Sequence, residues 1–192
     1  NTVTSGAYGA AIGGGGNALG PNQVTDDYGT VGGGAGNRAG DNAGTTSDVT
    51  YATVGGGLGN VASGSSATVA GGESNQATGA LAAVGGGSDN TASGRGAVVG
   101  GGGELNLLSG SPGNVASGDF AAILGGDDHV ASGAYAVIGG GLGNTASMTA
   151  TTVGGGYDNE ASGAGAFVGG GGYDGSMTSG NRAQAPASTI GG

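Results

Sequence analysis

The 192-residue chain predicts an all-β fold, a parallel β-solenoid (β-roll) of about eleven 15-residue coils with two short strands in each. Three observations lead there. An aliphatic residue recurs at a fixed interval, an asparagine follows it at a fixed offset, and 54 glycines punctuate the chain while only 8% of residues are charged. An interval held along a whole chain marks a stacked architecture, because one short repeat cannot bury its own apolar face and needs its neighbours to do so.

The aliphatic column comprises Ile12, Val31, Val54, Val69, Val84, Val99, Ile123, Ile138, Val153, Val168 and Ile190. Neighbours in it stand 15 residues apart wherever the pattern is uninterrupted. Six residues later comes a polar column: Asn37, Asn60, Asn75, Asn90, His129 in place of Asn, Asn144 and Asn159. Asn22, Asn114 and Asn181 join it by standing nine residues before the next aliphatic. Two residues after each of these is Ala in most repeats, from Ala39 and Ala62 to Ala161 and Ala183. Even offsets put residues on one face of an extended strand. Each repeat therefore reads as one strand centred on A-x-V and one on N-x-A-S, with glycine at the corners.

Fifteen residues are too few for a helix and a strand with their connections, but they suit one flattened turn of a solenoid. Stacked in parallel at about 4.8 Å, such turns place Val over Val, Ala over Ala and Asn over Asn. Stacked asparagine amides can bond to one another or to turn carbonyls, so the polar column is expected to be a structural ladder. One Val and two Ala per coil is a thin core. Main-chain bonding along the axis must supply much of the stability, and self-association is expected to add to it.

One domain covers residues 1–192, with insertions near 13–22, 38–53, 100–113 and 169–181. Three of the four follow the glycine corner and are expected to project from one edge. Loops on a rigid scaffold are where recognition resides. Leu105, Leu107 and Leu108 form the most apolar cluster of the chain, and Tyr173 and Met177 occupy the next such insertion. These five are candidate partner contacts; the alternative is that the loops fold over their own roll. The residue before each aliphatic (Thr53, Thr68, Ala83, Val98, Ala122, Val137, Thr152, Phe167) makes a second, uncharged column. Either rolls pack side by side along it, or β-branched residues simply suit strands there.

Composition excludes several function classes. A net charge of −10 with three Arg and no Lys leaves no cationic surface for nucleic acid or an anionic membrane. No stretch is long and apolar enough to span a bilayer. Cysteine is absent, which removes disulfides and thiolate metal sites. No nucleophile with a neighbouring base stands out. His129, the only histidine, sits in the asparagine column and reads as a turn residue. Asp127 and Asp128 beside it read as a solvated pair rather than a cation site. No acidic or basic cluster of the kind a carbohydrate-cleaving solenoid uses is visible along the chain, and no catalytic, cofactor or metal residue is assigned.

The stretches TVGGGLGNVASG, AVVGGG, AVIGGGLGNTAS and TTVGGGYDNEASG resemble the head repeats of trimeric autotransporter adhesins, and also repeats of phage tail fibres and bacterial surface proteins. The resemblance spans nearly the whole chain. It implies a left-handed β-roll, association into a homotrimer, an extracellular or cell-surface location, and an adhesive role toward a host or matrix ligand. Separately, both ends read as half-coils without a cap, which suggests either a window in a longer array or head-to-tail stacking into a filament. The leading functional expectation is a non-enzymatic extracellular structural or adhesive solenoid. The alternatives are an ice- or ligand-binding solenoid, for which the threonine column is too often broken, and a tail-fibre segment.

Overall fold

A computed structural model describes residues 1–18, 20–103, 113–173 and 179–192. It contains no helix among them. Twenty-two two-residue strands alternate between two parallel sheets of 11 strands each. One sheet begins with Thr2–Val3 and Gln23–Val24 and ends with Arg182–Ala183; the other begins with Ala11–Ile12 and Thr30–Val31 and ends with Thr189–Ile190. Every strand pairs with the strand one coil away, which is the predicted parallel solenoid.

The register is the one the period demands. Val54 lies beside Val69, Val69 beside Val84 and Val84 beside Val99. On the other sheet Ala62 lies beside Ala77, and Ala77 beside Ala92. Longer connections do not disturb it: Val31 pairs with Val54, Val99 with Ile123 and Val168 with Ile190. Main-chain bonds of 2.9 Å, such as Thr53 N–H to Ala67 O and Gly55 N–H to Val69 O, tie each coil to the next.

Three buried columns make one continuous core: the aliphatic residues, the alanines two before them, and the alanines of the opposite sheet. Val31 through Val168 in the aliphatic column are fully buried, whereas Ile12 and Ile190, in the outermost coils, are only partly covered. An end coil has one neighbour instead of two. Small side chains are what such a narrow section can hold; the largest fully buried apolar residues are Ile123 and Ile138.

The corner after the aliphatic strand carries a feature absent from the two-strand expectation. Single-residue parallel bridges run from Ala35 to Leu58, Glu73, Ser88 and Gly103, and again from Asp127 to Leu142 and Tyr157. This third ladder keeps the corners in step as well as the strands. Glycine at the corner's third residue is obligatory on two counts. Gly72 has φ +91°, and a Cβ there would lie 2.2 Å from the Gly87 carbonyl oxygen and 2.6 Å from Asn75 Nδ2. Neither the backbone conformation nor the space admits a side chain.

Connections between the sheets place the long loops. The connections from Ile12 to Gln23, from Val99 to Val115 and from Val168 to Arg182 follow the aliphatic strand, and their described residues leave from the glycine-corner edge. The remaining loop, residues 40–52, leaves from the opposite edge. Arg38 and Thr53, at the margins of the expected 38–53 insertion, are strand residues paired with Val61 and Thr68.

Candidate functional site

The asparagine column is the most regular polar feature. Asn75 Nδ2 donates to the Gly71 carbonyl of its own corner (3.0 Å) and to the Gly87 carbonyl of the next (2.8 Å). Its Oδ1 accepts the Asn90 backbone N–H at 3.0 Å, while its own N–H donates to Asn60 Oδ1 at 2.9 Å. Asn22, Asn37, Asn60, Asn90, Asn114, Asn144 and Asn159 repeat this scheme and are buried. Asn181, in the last coil, is half-buried and donates to Asn159 Oδ1 and the Gly170 carbonyl. Asn1, whose NTVTSG matches the NVASG half of later repeats, is also a rung: its Oδ1 accepts the Asn22 N–H at 3.1 Å. The side-chain oxygen thus bonds mainly to the next rung's backbone, a partner that spacing alone does not reveal.

His129 fills its rung imperfectly. Its backbone N–H reaches Asn114 Oδ1 (3.1 Å) and its Nδ1 accepts the Asn144 N–H (3.0 Å). That acceptance places the proton of the neutral ring on Nε2. Nε2 is buried and makes no aligned hydrogen bond. Burial pushes the imidazole below its ordinary pKa of 6.5, against the opposing pull of Asp127, the Gly141 carbonyl and Asp128. Asp127 is not simply solvated as the sequence suggests, since its Oδ1 is buried without a partner and its N–H is held by the Gly141 carbonyl. Its place in the corner ladder keeps it against the rod.

On the edge opposite the glycine corner, residues three before the buried aliphatic adopt left-handed backbone: Tyr28, Tyr51, Leu81, Phe120 and Tyr135, with φ between 56° and 61°. All five side chains are exposed. Tyr28 stacks on Tyr51 with centroids 4.9 Å apart, and Phe120 on Tyr135 at 5.5 Å. Arg95 lies 5.1 Å above the Phe120 ring and meets Asp119 at 3.4 Å. Large residues in this conformation are strained by about 1–2 kcal/mol each. For Phe120 and Tyr135 a signal was present in the sequence as S-G-x-aromatic-A, hidden because small residues fill the same position in other coils.

The same edge holds a cluster of carboxylates. Asp26, Asp41 and Asp48 each offer an oxygen, and these atoms lie within 4.8 Å of one another. Asp26 is fully buried, Asp41 half-buried and Asp48 exposed. Asp26 Oδ2 accepts the Thr25 hydroxyl (2.7 Å) and the Asp41 N–H (3.0 Å), while Oδ1 is buried with no hydrogen-bond partner. Burial raises the Asp26 carboxyl above its usual range; the Thr25 and Asp41 hydrogen bonds oppose this, and the Asp41 and Asp48 charges reinforce it. Asp48 is held below its usual range, chiefly by the Thr45 side chain and in part by a contact with Asp26. Thus the chain does contain an acidic cluster, assembled across the 40–52 loop.

The candidate contact residues divide. Tyr173 is 63% exposed and its ring is tilted against Tyr157 at 5.8 Å. Leu105, Leu107, Leu108 and Met177 lie outside the described residues. The outward column before the aliphatics is accessible, with Thr68, Val98 and Phe167 exposed and the others half-buried. No protein-family model and no curated protein matches this chain.

Proposed function

We propose that the chain is a non-enzymatic structural element of an extracellular surface, a segment of an adhesin or a subunit of a filament, in which a stiff solenoid displays loops and an aromatic edge. The supporting observation is the unbroken register from Thr2 to Ile190 through every long connection. Such a stack transmits a fixed direction and spacing along about 50 Å of axis. Each outermost strand, Thr2–Val3 and Ala11–Ile12 at one tip and Arg182–Ala183 and Thr189–Ile190 at the other, has a neighbour on one side only. Edges of this kind pair with further strands of the same register. The resemblance to autotransporter head repeats, with homotrimer formation and a cell-surface location, belongs to the same proposal.

A non-enzymatic role agrees with the chemistry of the polar groups. The asparagine side chains are engaged in the ladder, His129 is buried, and the innermost aspartate of the acidic cluster has no exposed surface for a substrate to reach. The test is electron microscopy of the purified chain combined with mass measurement over a concentration series. Rods that lengthen, or a threefold mass, are expected; a compact monomer persisting at high concentration overturns the association on which this reading depends.

A further inference from the structure

We propose that Asp26, Asp41 and Asp48 bind a hard divalent cation of the Ca2+ class at the root of the 40–52 loop. Asp26 stands at an unusual place for a side chain. Six regular coils have glycine at its corner (Gly64, Gly79, Gly94, Gly118, Gly133 and Gly163), with Met148 the exception, and at those glycines the next coil closes over the position. A Cβ on Gly64 would lie 2.1 Å from the Gly79 carbonyl oxygen. Asp26 fits because the following coil departs there into residues 40–52, and Gly40 leaves room for its Oδ2. The loop that makes this space also delivers Asp41 and Asp48 into it.

One oxygen in that space is left over. Thr25, the Asp41 N–H and the Ala43 N–H hold Asp26 Oδ2 and Asp41 Oδ1, fixing both carboxyl groups. Asp26 Oδ1 stays buried and unpartnered beside the Asp48 carboxyl. Burying an ionised carboxylate without a partner is costly unless a proton, a cationic side chain or a metal ion meets it. Among the described residues the ion pairs are Arg95 with Asp119 and Arg182 with Glu160, and neither reaches this cluster. A shared proton would bridge two oxygens and leave the third carboxylate repelling them. A divalent ion takes all three, since oxygens around one Ca2+ at about 2.4 Å lie at most about 4.8 Å apart. The exposed side, toward Asp48, leaves room for the waters that complete six to eight ligands. Mg2+, which demands about 2.1 Å in strict octahedral geometry, suits this loop less well. Few protein ligands and a solvent-exposed side place the affinity among weak sites, with Kd of about 10⁻⁴–10⁻³ M.

The experiment uses the intact chain, freed of metal with EDTA and studied at constant ionic strength. Calorimetric titration with CaCl2 should show one saturable site, and 10 mM CaCl2 should raise the thermal midpoint by about 3–7 °C, with a smaller rise in MgCl2. Asp48→Asn, at an exposed loop position, should keep the strand spectrum and weaken Ca2+ by about tenfold or more. Asp26→Asn should remove the calcium response altogether. Absence of heat and midpoint shift in calcium, or an Asp48→Asn protein that responds like the parent, overturns the site and leaves a shared proton as its explanation. Neither result bears on whether rods associate, so this inference and the structural role fail separately.

Discussion

Each buried asparagine acts as a four-way connector between two coils. Removing one strands two glycine carbonyls and the next rung's N–H in a dry interior, and unsatisfied buried groups cost about 1–3 kcal/mol each. Asn75→Ala should therefore destabilise the chain by about 3 kcal/mol or more, read as a lower urea midpoint. His129 is the natural counterpart of that experiment. Its Nδ1 must remain unprotonated to accept the Asn144 N–H, and burial lowers its pKa below 6.5. Because the folded pKa is depressed, this contribution is complete above pH of about 6.5 and is lost as pH falls from there toward the folded value. Asp127 and Asp128, which face the ring, oppose the shift without cancelling its direction. His129→Asn should raise stability at neutral pH by about 1 kcal/mol, by restoring the missing amide donor. Between pH 7 and 5, the parent should lose more stability than the variant in paired urea titrations.

The strand and its corner form the element of this architecture, and adjacent glycines in one corner do different work. Gly71 faces open space, whereas Gly72 meets the next coil. Gly71→Ala should be neutral or stabilising by about 0.5 kcal/mol through the unfolded chain. Gly72→Ala should cost about 2 kcal/mol or more, and the pair of thermal midpoints checks both. At this scale the sequence was most legible. Val54, Val69 and Val84 announce the stack because an in-register repeat must show the same residue at the same interval, and Asn75 announces the ladder for the same reason. Other features were concealed by their physics. The corner bridges through Leu58, Glu73 and Ser88 involve backbone only, so their side chains are free to vary. Tyr28 and Tyr135 adopt left-handed backbone at a position that Ser66 and Gly96 also fill. Asp26 and Asp48 are 22 residues apart and meet through a loop whose path no period encodes.

Across the whole molecule, coils contact their sequence neighbours and little else, so stability should accumulate coil by coil. Excising residues 76–90 removes one full coil and joins Asn75 to Thr91, which keeps both columns in step. The product should retain its circular dichroism spectrum and fold with a modestly lower midpoint. Excising residues 76–89 instead shifts every later side chain to the wrong face and should abolish cooperative unfolding, as the same spectra would show. The asparagine rungs add a sense of direction to this rod. Each asparagine rung that has a successor hands its amide oxygen onward to the following N–H, and His129 hands on Nδ1 in its place, so the ladder runs one way along the axis. Two like tips brought together would reverse that direction across the junction, so the outermost Oδ1 would not meet a following rung's N–H. An end-to-end junction that continued this ladder would have one orientation only, and repeated it would build a polar thread rather than a closed pair.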